Sequence, residues 1–187
     1  MKVSKWYLGF ICIIALGGIP RLSNAFDIQL TQGQIEEAKE YGAKHKGKDI
    51  FESPIVKTAC FGEYPKGDGG LIMNKYIEIA VISAMQTTKD IPITPGELKE
   101  IEECTAIKVA VDVSEPIANP EDIEVVLVQE SNNILPFKYE FGKEKRIVQD
   151  VICFFQYEKL NPKAKTEIII KTNDRQRKYK INFSAIK

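Results

Sequence analysis

The chain has 187 residues, and its 26 lysines and arginines are balanced by 26 aspartates and glutamates. This balance argues against a nucleic-acid-binding protein, because such proteins usually present a strongly basic face. The single histidine, His45, disfavours both a serine–histidine or cysteine–histidine catalytic apparatus and a zinc site. We therefore predict no catalytic residues, no metal site and no cofactor.

The first 25 residues predict a secretory signal peptide. Lys2 and Lys5 precede an apolar run over residues 6–19, and Ser23 and Ala25 are small residues of the kind that signal peptidase recognises. The apolar run is too short for a permanent membrane span, and no second long apolar segment follows it. We predict cleavage after Ala25, a mature chain without a membrane span, and an extracytoplasmic location that is either periplasmic or secreted.

Three segments before residue 104 carry the signals of helices. Each begins at a Thr or Asn that can accept a hydrogen bond from the first helical turn, and two of them have Gln or Glu three residues later, which completes a capping box. The predicted N-caps are Thr31, Asn74 and Thr94, and the predicted helices cover about 32–45, 75–88 and 95–103. For the second segment, a strand over about 71–83 is the alternative, because the segment is rich in β-branched residues. Residues 49–65 predict an irregular, extended segment, and residues 66–70 predict turns.

From residue 104 onwards, apolar residues recur at every second position, which is typical of strands with one buried face. The predicted strands contain residues 107–113, 123–127, 137–141, 151–157, 168–170 and 179–183. Turn-forming residues separate them, including those at 131–133, so antiparallel pairing is expected. We predict an α+β protein, with a helical N-terminal part (26–103) packed as one compact unit on a C-terminal antiparallel β-sandwich (104–187). The sandwich resembles immunoglobulin-like domains in general architecture, although it lacks their Cys–Trp–Cys pattern.

The three cysteines of the mature chain follow no metal-binding or redox spacing. Because exported proteins meet an oxidising environment, we predict a disulfide between Cys60 and Cys104, which both lie near the ends of predicted elements. Cys153, inside a predicted strand, is then left as a free thiol. The alternative is that all three are buried thiols that pack as small apolar residues.

The other polar candidates carry weak functional signals. We assign His45 a structural role at the last turn of the first helix. Asp68, in a glycine-rich stretch, lacks the additional acids of a calcium loop and the motif of a phosphate loop, which predicts a surface turn. The four glutamates between residues 97 and 103 predict a solvated helix face.

The aromatic residues of the C-terminal half predict core packing, because most of them follow the period of the strands. Phe137, Tyr139 and Phe141 are expected to point inward together. Phe154 is out of phase with its neighbour Phe155, so it either contacts the helical layer or forms an exposed apolar patch used for binding.

Taken together, these patterns favour an exported, non-enzymatic protein that acts as a binding, adaptor or envelope-assembly module for an unidentified protein partner. The edge strands of a sandwich can pair with a strand of another protein, which gives this prediction a physical basis. Two alternatives stay open. One is an enzyme that uses carboxylates or a free cysteine, and the other is a small-ligand carrier with a pocket between helices and sheet.

Overall fold

The computed structural model describes residues 28–117, 120–142, 148–173 and 175–187. The predicted signal peptide and its cleavage site after Ala25 lie outside these residues. Within them, the chain is a mixed α+β protein with two antiparallel sheets of five and four strands. In this part of the chain, no helix combines the length and the apolar character needed to cross a bilayer.

The helices begin where the capping residues predict. They are α1 (Gln32–Ala43), α2 (Pro54–Lys57), α3 (Lys75–Thr88) and α4 (Pro95–Glu103). The side chains of Thr31, Asn74 and Thr94 each accept a hydrogen bond from a backbone N–H of the first turn, which stabilises the helix start. The predicted spans of α3 and α4 are confirmed, and α1 ends two residues earlier than predicted. The alternative strand over 71–83 is wrong from Lys75 onwards.

The strands form two separate ladders. They are β1 (Cys60–Gly62), β2 (Gly69–Met73), β3 (Ala106–Ile117), β4 (Ile123–Gln129), β5 (Asn132–Ile134), β6 (Lys138–Phe141), β7 (Val148–Gln156), β8 (Thr166–Thr172) and β9 (Gln176–Ile181). The five-stranded sheet has the order β1-β2-β3-β7-β6, and the four-stranded sheet has the order β5-β4-β8-β9. Each of the six predicted strands corresponds to one of these elements.

Three strands were not expected from the sequence. The prediction of an irregular segment over residues 49–65 is wrong, because it contains a 3₁₀ turn at Ile50–Glu52, helix α2 and strand β1. Strand β2 begins inside the predicted turn at 66–70, and β5 occupies most of the predicted turn at 131–133. The part of the chain before residue 104 is therefore not purely helical, since it supplies two strands to the five-stranded sheet.

The two sheets and the helices contribute to one hydrophobic core. The expected inward residues of β3, β4, β7 and β8 are buried, and they include Val109, Val125, Phe155 and Ile168. The backbone N–H of Val125 in one sheet donates a hydrogen bond to the hydroxyl of Tyr139 in the other, at 3.5 Å. This burial pattern agrees with the period-two alternation of the sequence.

Helix α3 connects the other elements. The hydroxyl of Ser83 donates to the carbonyl of Lys39 in α1 at 2.8 Å, so α1 and α3 lie in close contact. Glu78 forms an ion pair with Lys108 of β3, which fixes α3 over the five-stranded sheet. At the start of α3, the side-chain amide of Asn74 donates to the carbonyl of Lys187, and the ammonium of Lys75 donates to the carbonyl of Ile28, each at 2.6 Å.

Candidate functional site

The edges of the two sheets differ in how well they are covered. Strands β1 and β6 end the five-stranded sheet, and β5 and β9 end the four-stranded sheet. An unpaired edge strand presents backbone N–H and C=O groups that another chain can use, so natural proteins cover or charge such edges. The four edges are therefore the first places to look for a binding surface.

The edges β1 and β9 contact each other. The rings of Phe61 in β1 and Tyr179 in β9 lie with their centroids 5.2 Å apart. Next to them, the Nε of Arg177 donates to the carboxylate of Asp68 at 2.6 Å. Lysines at exposed positions of β9 add charge along this edge, namely Lys178 and Lys180. The side of the protein formed by β1 and β9 is thus closed by aromatic and charged contacts.

Asp68 lies in the turn between β1 and β2, as its glycine-rich sequence predicts, and its side chain also pairs with Arg177 of β9. Its side chain and that of Arg177 are both largely shielded from solvent. Together with Glu63 and Lys66 they line a cavity of about 510 Å³ beside Tyr179. Because the charges in this cavity are balanced and Asp68 is already paired with Arg177, the cluster joins the β1–β2 hairpin to β9.

Strand β6 is an edge that has exposed apolar side chains beside it. Among the described residues, its only strand partner is β7, so its other side is unpaired. Leu135 and Phe137, just before the strand, are 58% and 54% exposed. Large apolar side chains that cluster in solvent often mark protein-binding surfaces. We call β6 together with Leu135 and Phe137 the β6 edge.

The exposure of Phe137 corrects the prediction that this ring points inward with Tyr139 and Phe141. Lys138 is the register partner of Phe154, yet the backbone N–H of Phe137 also donates to the carbonyl of Phe154, at 3.0 Å. Phe137 therefore lies in the bend before β6, and the regular alternation of the strand begins at Lys138. The ring of Phe137 contacts the ring of Phe154, with centroids 6.3 Å apart, and does not join the inward face of Tyr139 and Phe141.

Phe154 is buried by neighbours that sequence reasoning did not connect. Besides Phe137, two ammonium groups lie over its ring, with Lys138 Nζ at 4.8 Å and Lys108 Nζ at 5.6 Å from the centroid. Such cation–π contacts stabilise a charged group against an aromatic face. The predicted contact of Phe154 with the helical layer is only indirect. Lys108, which lies over the ring, forms an ion pair with Glu78 of α3.

A cavity of about 530 Å³ lies next to this cluster, between the end of α4 and the β6 edge. Its lining combines Phe137 and Phe154 with charged side chains, including Glu100 of α4 and Lys138. Small-molecule sites are usually dominated by apolar side chains, so this mixed lining favours contact with a protein surface over an enclosed ligand.

The three cysteines among the described residues are free thiols, and the predicted Cys60–Cys104 disulfide is not formed. Cys60 aligns with Leu71 of β2, which aligns with Ala110 of β3, six residues beyond Cys104. The two sulfurs are therefore separated by the spacing of two strand pairs across the sheet and by several residues along the chain. This separation is more than a disulfide can span.

The environment of the thiols makes two of them poor nucleophiles. Burial raises the pKa of the Cys60 thiol to about 11, and the carboxylates of Glu52 and Asp49 add to this effect. Cys153, predicted as the free thiol, is fully buried, and burial raises the pKa of its thiol still further. Since the thiolate is the reactive form, neither residue supports the alternative of a cysteine-dependent enzyme.

His45 lies in the turn that follows α1. Its Nδ1 is 2.7 Å from the carbonyl oxygen of Tyr41, so Nδ1 carries the proton and donates it. The imidazole also packs against the ring of Tyr41, with centroids 4.6 Å apart. Both contacts fix the turn after α1, in line with a structural role.

The glutamates of α4 act mainly at the helix surface. Glu97 completes the capping box with Thr94, and Glu103 pairs with Lys99 on an exposed face at 3.7 Å. Across the described residues, no group of three or more His, Cys, Asp or Glu side chains is arranged to hold a metal ion.

Comparison with known proteins adds no family to these observations. The chain matches no protein-family model, no curated protein and no solved structure.

Proposed function

We propose that this chain is an exported, non-enzymatic binding module that receives an extended segment of a protein at the β6 edge. The observation that carries this proposal is an edge strand that pairs on one side only among the described residues and is preceded by two exposed apolar side chains, Leu135 and Phe137. In strand addition, the backbone of the edge supplies hydrogen bonds, and side chains on either face of the strand supply specificity. The β6 edge offers both kinds of contact.

We further infer that the two sheets form a β-sandwich, immunoglobulin-like in general architecture, that acts as the rigid support of this edge. The contact between Val125 and Tyr139 and the ring contact between Phe61 and Tyr179 join the two sheets at separate points. A support of this kind keeps an edge strand in a fixed conformation, which lowers the entropy lost on binding.

A photo-crosslinking residue in place of Phe137 tests the docking surface in the cell that makes the protein. We expect adducts of defined mass at position 137, because the side chain lies at the border of the edge strand. The matched control is the same replacement at Met85, which is 55% exposed on helix α3. Equal adduct patterns at 137 and 85, or no adduct at 137, would show that the β6 edge is not a docking surface.

Export is tested separately by the mass of the intact protein recovered from the cells. Removal of 25 residues gives a chain that begins at Phe26 and is found outside the cytoplasm. Full-length protein that begins at Met1 and stays in the cytoplasm would contradict this part of the proposal while leaving the docking surface intact.

A further inference from the structure

The sequence of the β6 edge is complementary to itself. Phe137 and Phe141 stand two residues to either side of Tyr139, and Lys138 and Glu140 stand next to it with opposite charges. In an antiparallel pair centred on Tyr139, Lys138 of one chain lies opposite Glu140 of the other, and the two Tyr139 rings lie opposite each other. Opposite charges and aromatic pairs at directly opposed positions both stabilise antiparallel strands.

The structure leaves the two charged residues accessible for such a contact. Lys138 and Glu140 project from the same face of β6, and their side chains are 52% and 50% exposed. Within one chain they form an ion pair at 2.5 Å. Because directly opposed residues of an antiparallel pair share a face, two copies bring two lysines and two glutamates into one alternating cluster.

Other registers of the same strand are disfavoured. A shift that keeps the faces matched places Lys138 opposite a second Lys138, or Glu140 opposite a second Glu140, and like charges at opposed positions are destabilising. A shift by one residue brings the charged face against the core-facing side chains. A parallel pair in register places identical charges next to each other. The antiparallel register centred on Tyr139 therefore satisfies both the charges and the faces.

We propose that the occupant of the β6 edge is β6 of a second copy of this chain, paired antiparallel about a two-fold axis at Tyr139. This inference rests on the proposed function of the β6 edge as a docking surface and names its partner. The pairing joins two five-stranded sheets into one continuous sheet. It also brings the exposed side chains Leu135 and Phe137 of each copy to the border of the interface, where they can lose contact with water.

Charge reversal provides the test. Lys138→Glu alone and Glu140→Lys alone each place like charges at both opposed positions of the pair. We therefore expect each variant to lower the association constant of the dimer about tenfold. An equimolar mixture of the two variants restores opposite charges at both positions. We therefore expect the mixture to form a dimer with one copy of each variant, measured by native mass spectrometry with one variant carrying a mass tag.

The mixture separates the proposed contact from the ion pair within one chain. Mixing cannot repair the pair between Lys138 and Glu140 of the same chain, so a purely structural role for that pair predicts no recovery. Lys178→Glu, an exposed charge reversal on the edge strand β9, is the control and should leave association unchanged. Circular dichroism of each variant confirms that the fold is retained.

The outcomes distinguish the two proposals. If the wild-type chain is a monomer, or if the mixture does not recover the dimer, self-pairing is overturned. If adducts at position 137 then join a different protein, the docking function stands with another partner. If the adducts at 137 lie within one chain, the chain covers its own edge and both proposals fall. Self-pairing is also overturned if each single variant forms a dimer as tightly as the wild type does.

Discussion

Replacing Gly42 with alanine tests the closest helix contact in the fold. Gly42 is buried near the end of α1, against α3. A Cβ at this position would come within 2.7 Å of the Cβ of Ser83 and 2.9 Å of the backbone nitrogen of Ala84, and nearer still to the carbonyl oxygen of Ala80. Two of these three atoms belong to the α3 backbone, so α1 and α3 must move apart to accept the methyl group.

The magnitude follows from two opposing effects. Alanine is favoured over glycine in a helix by up to about 1 kcal/mol, whereas overfilling a packed contact costs about 1–3 kcal/mol. The clash with an unyielding backbone lies at the upper end of this range. We therefore expect Gly42→Ala to lower the free energy of unfolding by about 2 kcal/mol, which corresponds to a fall in melting temperature of about 4–8 °C.

The matched control lies in the same helix. Gly33, in the first turn of α1, has its nearest neighbour 4.0 Å from an added Cβ, so Gly33→Ala meets no obstacle. We expect this variant to be as stable as the wild type or more stable by up to about 1 kcal/mol. Urea denaturation followed by circular dichroism measures both changes. Equal stability of the Gly42→Ala and Gly33→Ala variants would refute the close approach of α1 and α3.

Three further predictions concern charged and titratable groups. Cys153 should resist iodoacetamide until the protein unfolds. Cys60, with a thiol pKa of about 11, should react at pH 8 about a thousandfold more slowly than a fully ionised thiolate. Rapid labelling of either cysteine in the folded protein, detected by intact mass, would contradict their burial. The ion pair of Glu78 and Lys108, whose side chains are 13% and 17% exposed, should give a coupling energy of at least about 1 kcal/mol in a double-mutant cycle, and a value near zero would place the pair among ordinary surface ion pairs. Glu52, whose two lysine partners lower its pKa to about 2, should titrate near pH 2 when its carboxyl group is followed by NMR. The stability that it contributes is therefore present above about pH 4.5 and is lost as the pH falls towards 2. A titration midpoint near 4.5 would show that the lysines do not stabilise the carboxylate.

The elements that the sequence predicts well are those specified locally. Helices α3 and α4 begin directly after Asn74 and Thr94, whose side chains cap them, and the capping signal lies within four residues of each helix start. The long strands β3 and β7 alternate over enough residues to show their buried face. Such signals need no knowledge of what the element packs against.

The missed strands depend on distant partners instead. Strand β2 begins with Gly69 and Gly70, which read as a turn, and both contact neighbouring backbone so closely that a Cβ would clash. These glycines form a strand because Phe61 and Val111 lie in the strands on either side of Gly70. Asn132 and Asn133 likewise favour a turn in isolation, and pairing with β4 makes them a strand.

The candidate site combines both cases. The composition of β6 is visible in the sequence, and the alternation of Lys138, Tyr139 and Glu140 correctly predicts a strand with an exposed charged face. That β6 ends a sheet follows only from the sheet order, which no local pattern contains. Phe137 lies in the bend before β6, so the periodicity of the strand, on which the prediction relied, does not extend to it.

The start of α3 has a consequence for the connectivity of the fold. Asn74 and Lys75 are adjacent, and their side chains donate to the carbonyls of Lys187 and Ile28, so positions 28 and 187 are both anchored to the start of α3. A linker can therefore join these two positions. The same three-dimensional arrangement could then be encoded by a circularly permuted gene, with new termini opened in an exposed turn such as the one after α1.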